Sequence, residues 1–258
     1  MQSTATGNSP GLHLGMTGAQ GSSFSNTQRR PSRNPMLPNA DIKAILFDLD
    51  NTLLDRSAAV RRYFTQLLQD ASPPLPEDEF ELTLLTILAR DRLGYEDRAA
   101  FFDWAATTCF PDWAPAELWS DFREKLPRMI EPDPLCLELL QRLQPHYALA
   151  VITNGSAELQ RAKIEAAGID QLIDHIWISE ETGAAKPDQA SFAQALSALG
   201  VTPQQALFVG DHPYQDISGA RQIGMHTCWM QLDRTFPGEF PEPHCQISSL
   251  DSLQCLVP

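Results

Sequence analysis

Hydrophobic and polar positions follow two rhythms along this chain, and the change falls near residue 130. The apolar block Ala44-Ile45-Leu46-Phe47 is too short for a helix and reads as a buried strand. Helical spacing follows it. Val60, Phe64, Leu67 and Leu68 mark a helix from Asp55 to about Gln69, and Phe80, Leu84, Leu85 and Leu88 a second from Glu77 to about Arg92. Phe101, Phe102 and Trp104 predict a third over Glu96–Thr108. Leu118, Trp119 and Phe122 predict a fourth over Pro115–Leu126. Pro115 suits a first helical turn, where its missing N–H has no partner to lose.

Beyond Pro132, short apolar strands alternate with amphipathic helices. Strands are predicted over 147–153, 175–179, 206–210 and 225–230, and helices over 134–143, 156–167, 189–199 and 215–223. The stretch 233–246 reads as loop and 249–256 as a short final helix. Such alternation predicts an α/β fold, a doubly wound parallel sheet with helices on both faces. The helical block separates the first strand from the others, so it reads as an insertion. The expected organisation is an α/β core from 41–55 and 131–258, with an all-helical domain over 56–130.

Residues 1–40 are rich in Ser, Thr, Gly, Asn, Gln and Pro and carry no acidic residue. This composition buries too little apolar surface to order itself and predicts a disordered N-terminal extension. A plain tail and a transit peptide are both open readings. A secretory signal is disfavoured because there is no apolar core segment, and Met36 is an alternative start.

The chain has 258 residues, 43% of them hydrophobic, and a formal net charge of −14. That charge opposes a nucleic-acid polymer as partner. Five widely spaced cysteines without a C-x-x-C pair suggest reduced thiols and a cytoplasmic protein rather than a disulfide framework or a zinc site. No apolar stretch reaches the ~18–20 residues of a membrane helix.

In an open parallel sheet, ligands sit at the carboxyl ends of the strands. The first strand ends in Asp48-Leu49-Asp50-Asn51-Thr52. Strand alternation turns both carboxylates the same way, where they repel each other and call for a cation. The second strand ends in Thr153-Asn154-Gly155 and the fourth in Gly210-Asp211, with Asp216 five residues on. Lys186-Pro187 precedes a helix start, an anion-attracting place. Three carboxylate positions, a hydroxyl and a lysine therefore converge on one edge.

These four ordered motifs, Asp48-x-Asp50-x-Thr52, Thr153-Asn154-Gly155, Lys186-Pro187 and Gly210-Asp211-x4-Asp216, resemble those of the haloacid-dehalogenase-like phosphohydrolase superfamily, with the match covering residues 43–231. The resemblance implies a Rossmann-like core with a C1-type helical cap, and a Mg²⁺-dependent phosphatase acting on a small phosphate ester. It also implies roles. Asp48 is the nucleophile, and Asp50 the proton carrier. Thr153 and the Asn154 backbone N–H bind phosphate, and Lys186 pairs with phosphate and Asp48. The metal is held by Asp48, the Asp50 carbonyl and Asp211, with Asp216 orienting Lys186 or metal-bound water from behind. An acid at position 50 speaks against a dehalogenase, because a halide leaves without a proton. A phosphonate-cleaving member would need a lysine early in the cap, and residues 55–70 have none. A sugar phosphomutase and a non-catalytic scaffold remain alternatives. The pattern around the first motif and Gly224-Met-His-Thr-Cys-Trp229 most resembles phosphatases of nucleotide or flavin-related monophosphates, such as FMN or phosphorylated ribitylaminouracil.

Other residues have simpler readings. Asp55 is expected to cap the next helix, and Asp188 to sit in a first helical turn. Arg61 and Arg62 read as solvated helix residues that could also reach substrate. His212 is either a neutral loop histidine or a neighbour of substrate or metal water. The cap aromatics are read as its core, with one or two facing the site.

Overall fold

The computed structural model describes residues 41–256. The reading of residues 1–40 lies outside them. Six parallel strands form one sheet in the order β3-β2-β1-β4-β5-β6. They are β1 (Ala44–Phe47), β2 (Ala148–Thr153), β3 (His175–Ile178), β4 (Ala206–Gly210), β5 (His226–Met230) and β6 (Cys245–Ile247). The central strand β1 pairs with β2 and β4 in register, Phe47 lying opposite Val151 and Val209. All of β1 is buried, because helices cover both faces. Alternate residues feed two cores. Ile45, Phe47, Val151 and Val209 join the larger one, and Ala44, Leu46, Ala150 and Phe208 the smaller.

Four of the helices between β1 and β2 form the insertion: α1 (Arg56–Gln69), α2 (Glu77–Asp91), α3 (Arg98–Thr108) and α4 (Pro115–Lys125). Their apolar faces meet in an aromatic cluster. Phe64 packs within 6.0 Å of Phe101, Phe110 and Phe122, and Tyr63 lies edge-on to Phe122 at 5.1 Å. Burying each such ring contributes roughly 1.5–3 kcal/mol. This is the inserted helical domain expected from the sequence. The remaining helices are α5 (Pro134–Leu143), α6 (Ala157–Ala166), α7 (Ser179–Thr182), α8 (Gln189–Leu199) and α9 (Gly219–Gln222).

Several details differ from the sequence reading. The stretch 233–246 is not all loop, since Cys245 starts a strand that pairs with β5. Three residues among prolines show no alternation to detect. The helix expected over 215–223 is a π-helical segment, Pro213–Ser218, followed by the short α9. Asp188 lies one step before its helix and caps it, accepting from the Ala190 N–H at 2.9 Å. Asp55 caps α1 as expected, through Ala58 N–H at 2.8 Å. None of the helices described is long and apolar enough to cross a membrane.

Candidate active site

A cavity of about 430 Å³ opens at the carboxyl edge of the sheet, under the helical domain. Asp48, Asp50, Thr153, Asn154, Asp211 and Asp216 line it, so residues from three strand ends meet there. Asp48 follows β1 directly. Leu49 turns into the main core, and the Leu53 and Leu54 N–H groups close a tight turn on its carbonyl. The turn frees both flanking acids to face the cavity.

Different cations hold the two acids. Lys186 Nζ lies 2.6 Å from Asp48 Oδ1 and 2.7 Å from Asp216 Oδ1. Thr52 Oγ1 donates to Asp48 Oδ2 at 3.3 Å. Burial, with Asp216 and Asp50 nearby, pushes the Asp48 carboxyl up to about 7 despite Lys186. Asp211 is raised well above the usual carboxylate range by burial and by the charges of Asp48 and Asp216. Burial would lower Lys186, but Asp216 and Asp48 outweigh it and hold the ammonium above its ordinary value. Asp50 contrasts with these. Burial opposes its ionisation, yet Lys163 and Arg56 keep its carboxyl below the usual range.

Oxygens of Asp48, Asp211 and Asp216 all lie within 4.8 Å of one another. The two oxygens of Asp216 are engaged, Oδ1 by Lys186 and Oδ2 by the His212 N–H at 2.8 Å. Asp48 Oδ2 takes the longer bond, from Thr52. Tyr95 and Arg234 reach the Asp211 carboxylate through Oδ2, burial raises both carboxyls, and all donors are hard oxygens. This donor set fits a small divalent cation such as Mg²⁺.

Asn154 ties the second motif to the third. Its side chain accepts from Lys186 N–H and donates to Lys186 C=O, both at 2.8 Å. Thr153 Oγ1 is buried and accepts from Gln160 Nε2 at 2.6 Å. Gly210 lets the fourth motif fold onto itself, because a Cβ there would approach Asp216 Cγ to 2.6 Å. Gly210→Ala is therefore expected to push Asp216 off Lys186 and destabilise the protein by about 1–3 kcal/mol. Urea denaturation with a phosphate-release assay checks it, and unchanged values would refute this account.

A sequence profile of haloacid dehalogenase-like hydrolases matches residues 45–230. The chain belongs to this family. Phosphoserine phosphatase of Thermus thermophilus is 39% identical over 127 residues, 49% of each chain, so the match spans about half of that relative's length. Glyceraldehyde 3-phosphate phosphatase of Pyrococcus abyssi is 30% identical over 84% of this chain and 92% of its own. The putative HAD-hydrolase YfnB of Bacillus subtilis, solved bound to magnesium, matches with a TM-score of 0.68. It covers 84% of this chain and 98% of that one at 24% identity, a likeness that shows the fold. The resemblance read from the four motifs is borne out, and the phosphatases among the relatives agree with its phosphatase branch.

In this hydrolase the fold also adds residues that no motif announced. Arg56, buried at the start of α1, donates a bidentate pair of hydrogen bonds to Asp91 at 2.6 and 2.9 Å, and Arg98 reaches the same carboxylate at 3.0 Å. Burial would raise Asp91, but the two arginines hold it below the usual range. After α2 the chain reverses through Arg92, Leu93 and Gly94, all at positive φ. Asn51 Nδ2 grips Leu93 C=O at 3.0 Å, and Tyr95 then donates its hydroxyl to Asp211 Oδ2 at 2.6 Å. Arg234 completes this contact, donating to Tyr95 Oη and Asp211 C=O, each at 2.8 Å. His212 is a structural cap. Its Nδ1 accepts from the Tyr214 and Gln215 N–H groups, and its ring packs 4.0 Å from Tyr95. Arg62 bonds Met129 C=O and Glu131, away from the cavity lining. Tyr95, Trp119 and Phe122 are cap aromatics that line the site.

Proposed function

We propose that this hydrolase is a Mg²⁺-dependent phosphomonoesterase working through an aspartyl-phosphate on Asp48. The observation that carries the reading is the buried cluster of Asp48, Lys186, Asp211 and Asp216 at the cavity floor, with Asp50 beside it. Asp48, the Asp50 carbonyl and Asp211 would hold Mg²⁺, which would offset the repulsion between an anionic nucleophile and an anionic phosphate.

The side chains divide the work. An Asp48 carboxylate oxygen attacks phosphorus and forms the acyl-phosphate. Despite burial, Lys163 and Arg56 keep Asp50 ionised in the free site, so Asp50 takes a proton from the bound phosphate monoanion and gives it to the leaving oxygen as the ester P–O bond breaks. Asp50 then takes a proton from the water that attacks the phosphorus of the intermediate, which releases phosphate and restores Asp48. Thr153 and the Asn154 N–H hold phosphate oxygens. Lys186, set by Asp216 and the Asn154 side chain, keeps Asp48 aimed and pairs with the transferred group. Residues 56–130 act as the cap that keeps bulk water out.

We place the substrate among nucleotide or flavin-related monophosphates. The cavity is lined by Trp119, Phe122 and Leu126 as well as by the catalytic acids, so a planar ring has a surface to stack on. The five free thiols suit a reducing, cytoplasmic setting. A phosphate-release screen over mononucleotides, FMN and sugar phosphates, with and without Mg²⁺, tests the assignment. Activity on sugar phosphates alone would remove the ring preference, and phosphoryl transfer without free phosphate would replace the hydrolase by a mutase.

Magnesium is expected to stabilise the folded protein by about 2.7 kcal/mol at one hundred times its dissociation constant. Asp211→Asn should abolish most of that gain. Thermal melts with Mg²⁺ and with chelator measure it, and an equal gain in the variant would remove Asp211 from the metal site.

A further inference from the structure

Asp50 is gripped by two side chains of α6. Lys163 Nζ lies 2.9 Å from Asp50 Oδ1 and 2.8 Å from Oδ2. Gln160 donates through Nε2 to Asp50 Oδ2 at 3.1 Å and to Thr153 Oγ1 at 2.6 Å, while its Oε1 accepts from Lys163 at 2.7 Å. Residues three apart share one helix face, so a single rigid segment presents both groups. Gly155 leaves the space they need, since a Cβ there would meet Gln160 Cγ at 3.2 Å.

A lysine is almost never fully buried without a partner, and Lys163 is only 3% exposed. The three oxygens around it match its three protons. An apolar pair of similar volume would stabilise such a position at least as well. This pair instead lines the cavity together with Asp50 and Thr153. Its placement gives it a task beyond packing.

We infer that Lys163 and Gln160 are positioning residues, a brace that aims the Asp50 carboxyl at the leaving oxygen and ties it to the phosphate-facing Thr153. The inference rests on the phosphatase reading above. When the ester P–O bond breaks, its electron pair goes to the leaving oxygen, which takes the Asp50 proton. The carboxylate left behind faces the Lys163 ammonium, which offsets the new charge without moving. In the second half-reaction Asp50 accepts a proton from water as the bond from phosphorus to Asp48 breaks. The brace holds one carboxyl orientation for both steps.

The consequence is a dependence on the leaving group. An alkyl ester such as glycerol phosphate needs a proton on departure, whereas p-nitrophenyl phosphate expels a stable phenolate. Because kcat/KM reports events through the first P–O cleavage, it isolates this step. Lys163→Met is expected to lose about 100-fold in kcat/KM on the alkyl ester, and a factor about tenfold smaller on the aryl ester. Lys163→Arg should recover part of the alkyl activity, and Gln160→Leu should show the same selectivity with a smaller loss. Equal losses on both esters, in variants that melt like the wild type, would overturn the brace. If Lys163→Met does not fold, Gln160→Leu carries the test with the same two outcomes. A wild-type protein inactive on both esters would sink the phosphatase reading, and the brace with it. An active wild type with equal losses in the variants sinks the brace alone.

Discussion

Asp48→Asn is expected to lower kcat/KM by on the order of 10⁵-fold while leaving the fold intact. The amide keeps the shape of the carboxyl but cannot attack phosphorus. Its effect on stability runs the other way. Asp48 is buried, and burial together with Asp216 and Asp50 raises its carboxyl to about 7. Removing that charge relieves repulsion with Asp216 and Asp211, and Lys186 keeps Asp216 at 2.7 Å. In the absence of Mg²⁺ the variant should therefore melt at or above the wild-type temperature. Phosphate release, thermal melts and acid-quench trapping of the acyl-phosphate measure the three consequences. Residual activity above about 1% of wild type would move the nucleophile elsewhere, given the size of the loss expected.

Lys186→Met is expected to damage both activity and stability. The lysine side chain is 1% exposed and touches Asp48 and Asp216 directly. Methionine replaces most of its volume but leaves buried carboxylates without that cation. Breaking a buried pair by removing one partner costs about 3–5 kcal/mol. Activity should fall by on the order of 10³–10⁴, because the nucleophile loses its orientation and the phosphate a counter-charge. Mg²⁺ should restore part of the stability by supplying charge to the same carboxylates, and little of the activity. Urea denaturation with and without Mg²⁺ separates the two effects. A variant as stable as wild type in chelator would show that Lys186 does not compensate these acids.

Gly155, Gly210 and the motif acids were legible because each is placed by its own neighbours. An apolar strand must end somewhere, and the residue after it faces the carboxyl edge of the sheet. Asp55 at the start of α1 was readable for the same local reason, through a hydrogen bond three residues away. The brace was not. Lys163 lies 113 residues from Asp50, and on its own helix it looks like any amphipathic lysine. Tyr95 and Asp211 are 116 residues apart, and Arg234, which joins them, comes from a stretch that reads only as loop. Asp188 was misplaced by one position because helix starts shift within the resolution of sequence signals.

The sequence by itself determined the parallel α/β core, the inserted helical domain, the three strand-end motifs and Lys186-Pro187 before a helix start. All of these follow from periodicity and from side-chain chemistry within a few residues. Tertiary structure decided that Asp50 receives Lys163, whereas the Lys186 partner of Asp48 was already implied by the resemblance. It also decided that Tyr95 of the helical domain closes on Asp211. The reason is physical. A buried charge must find its partner in space, and packing of the whole chain chooses that partner among residues that sequence order leaves far apart.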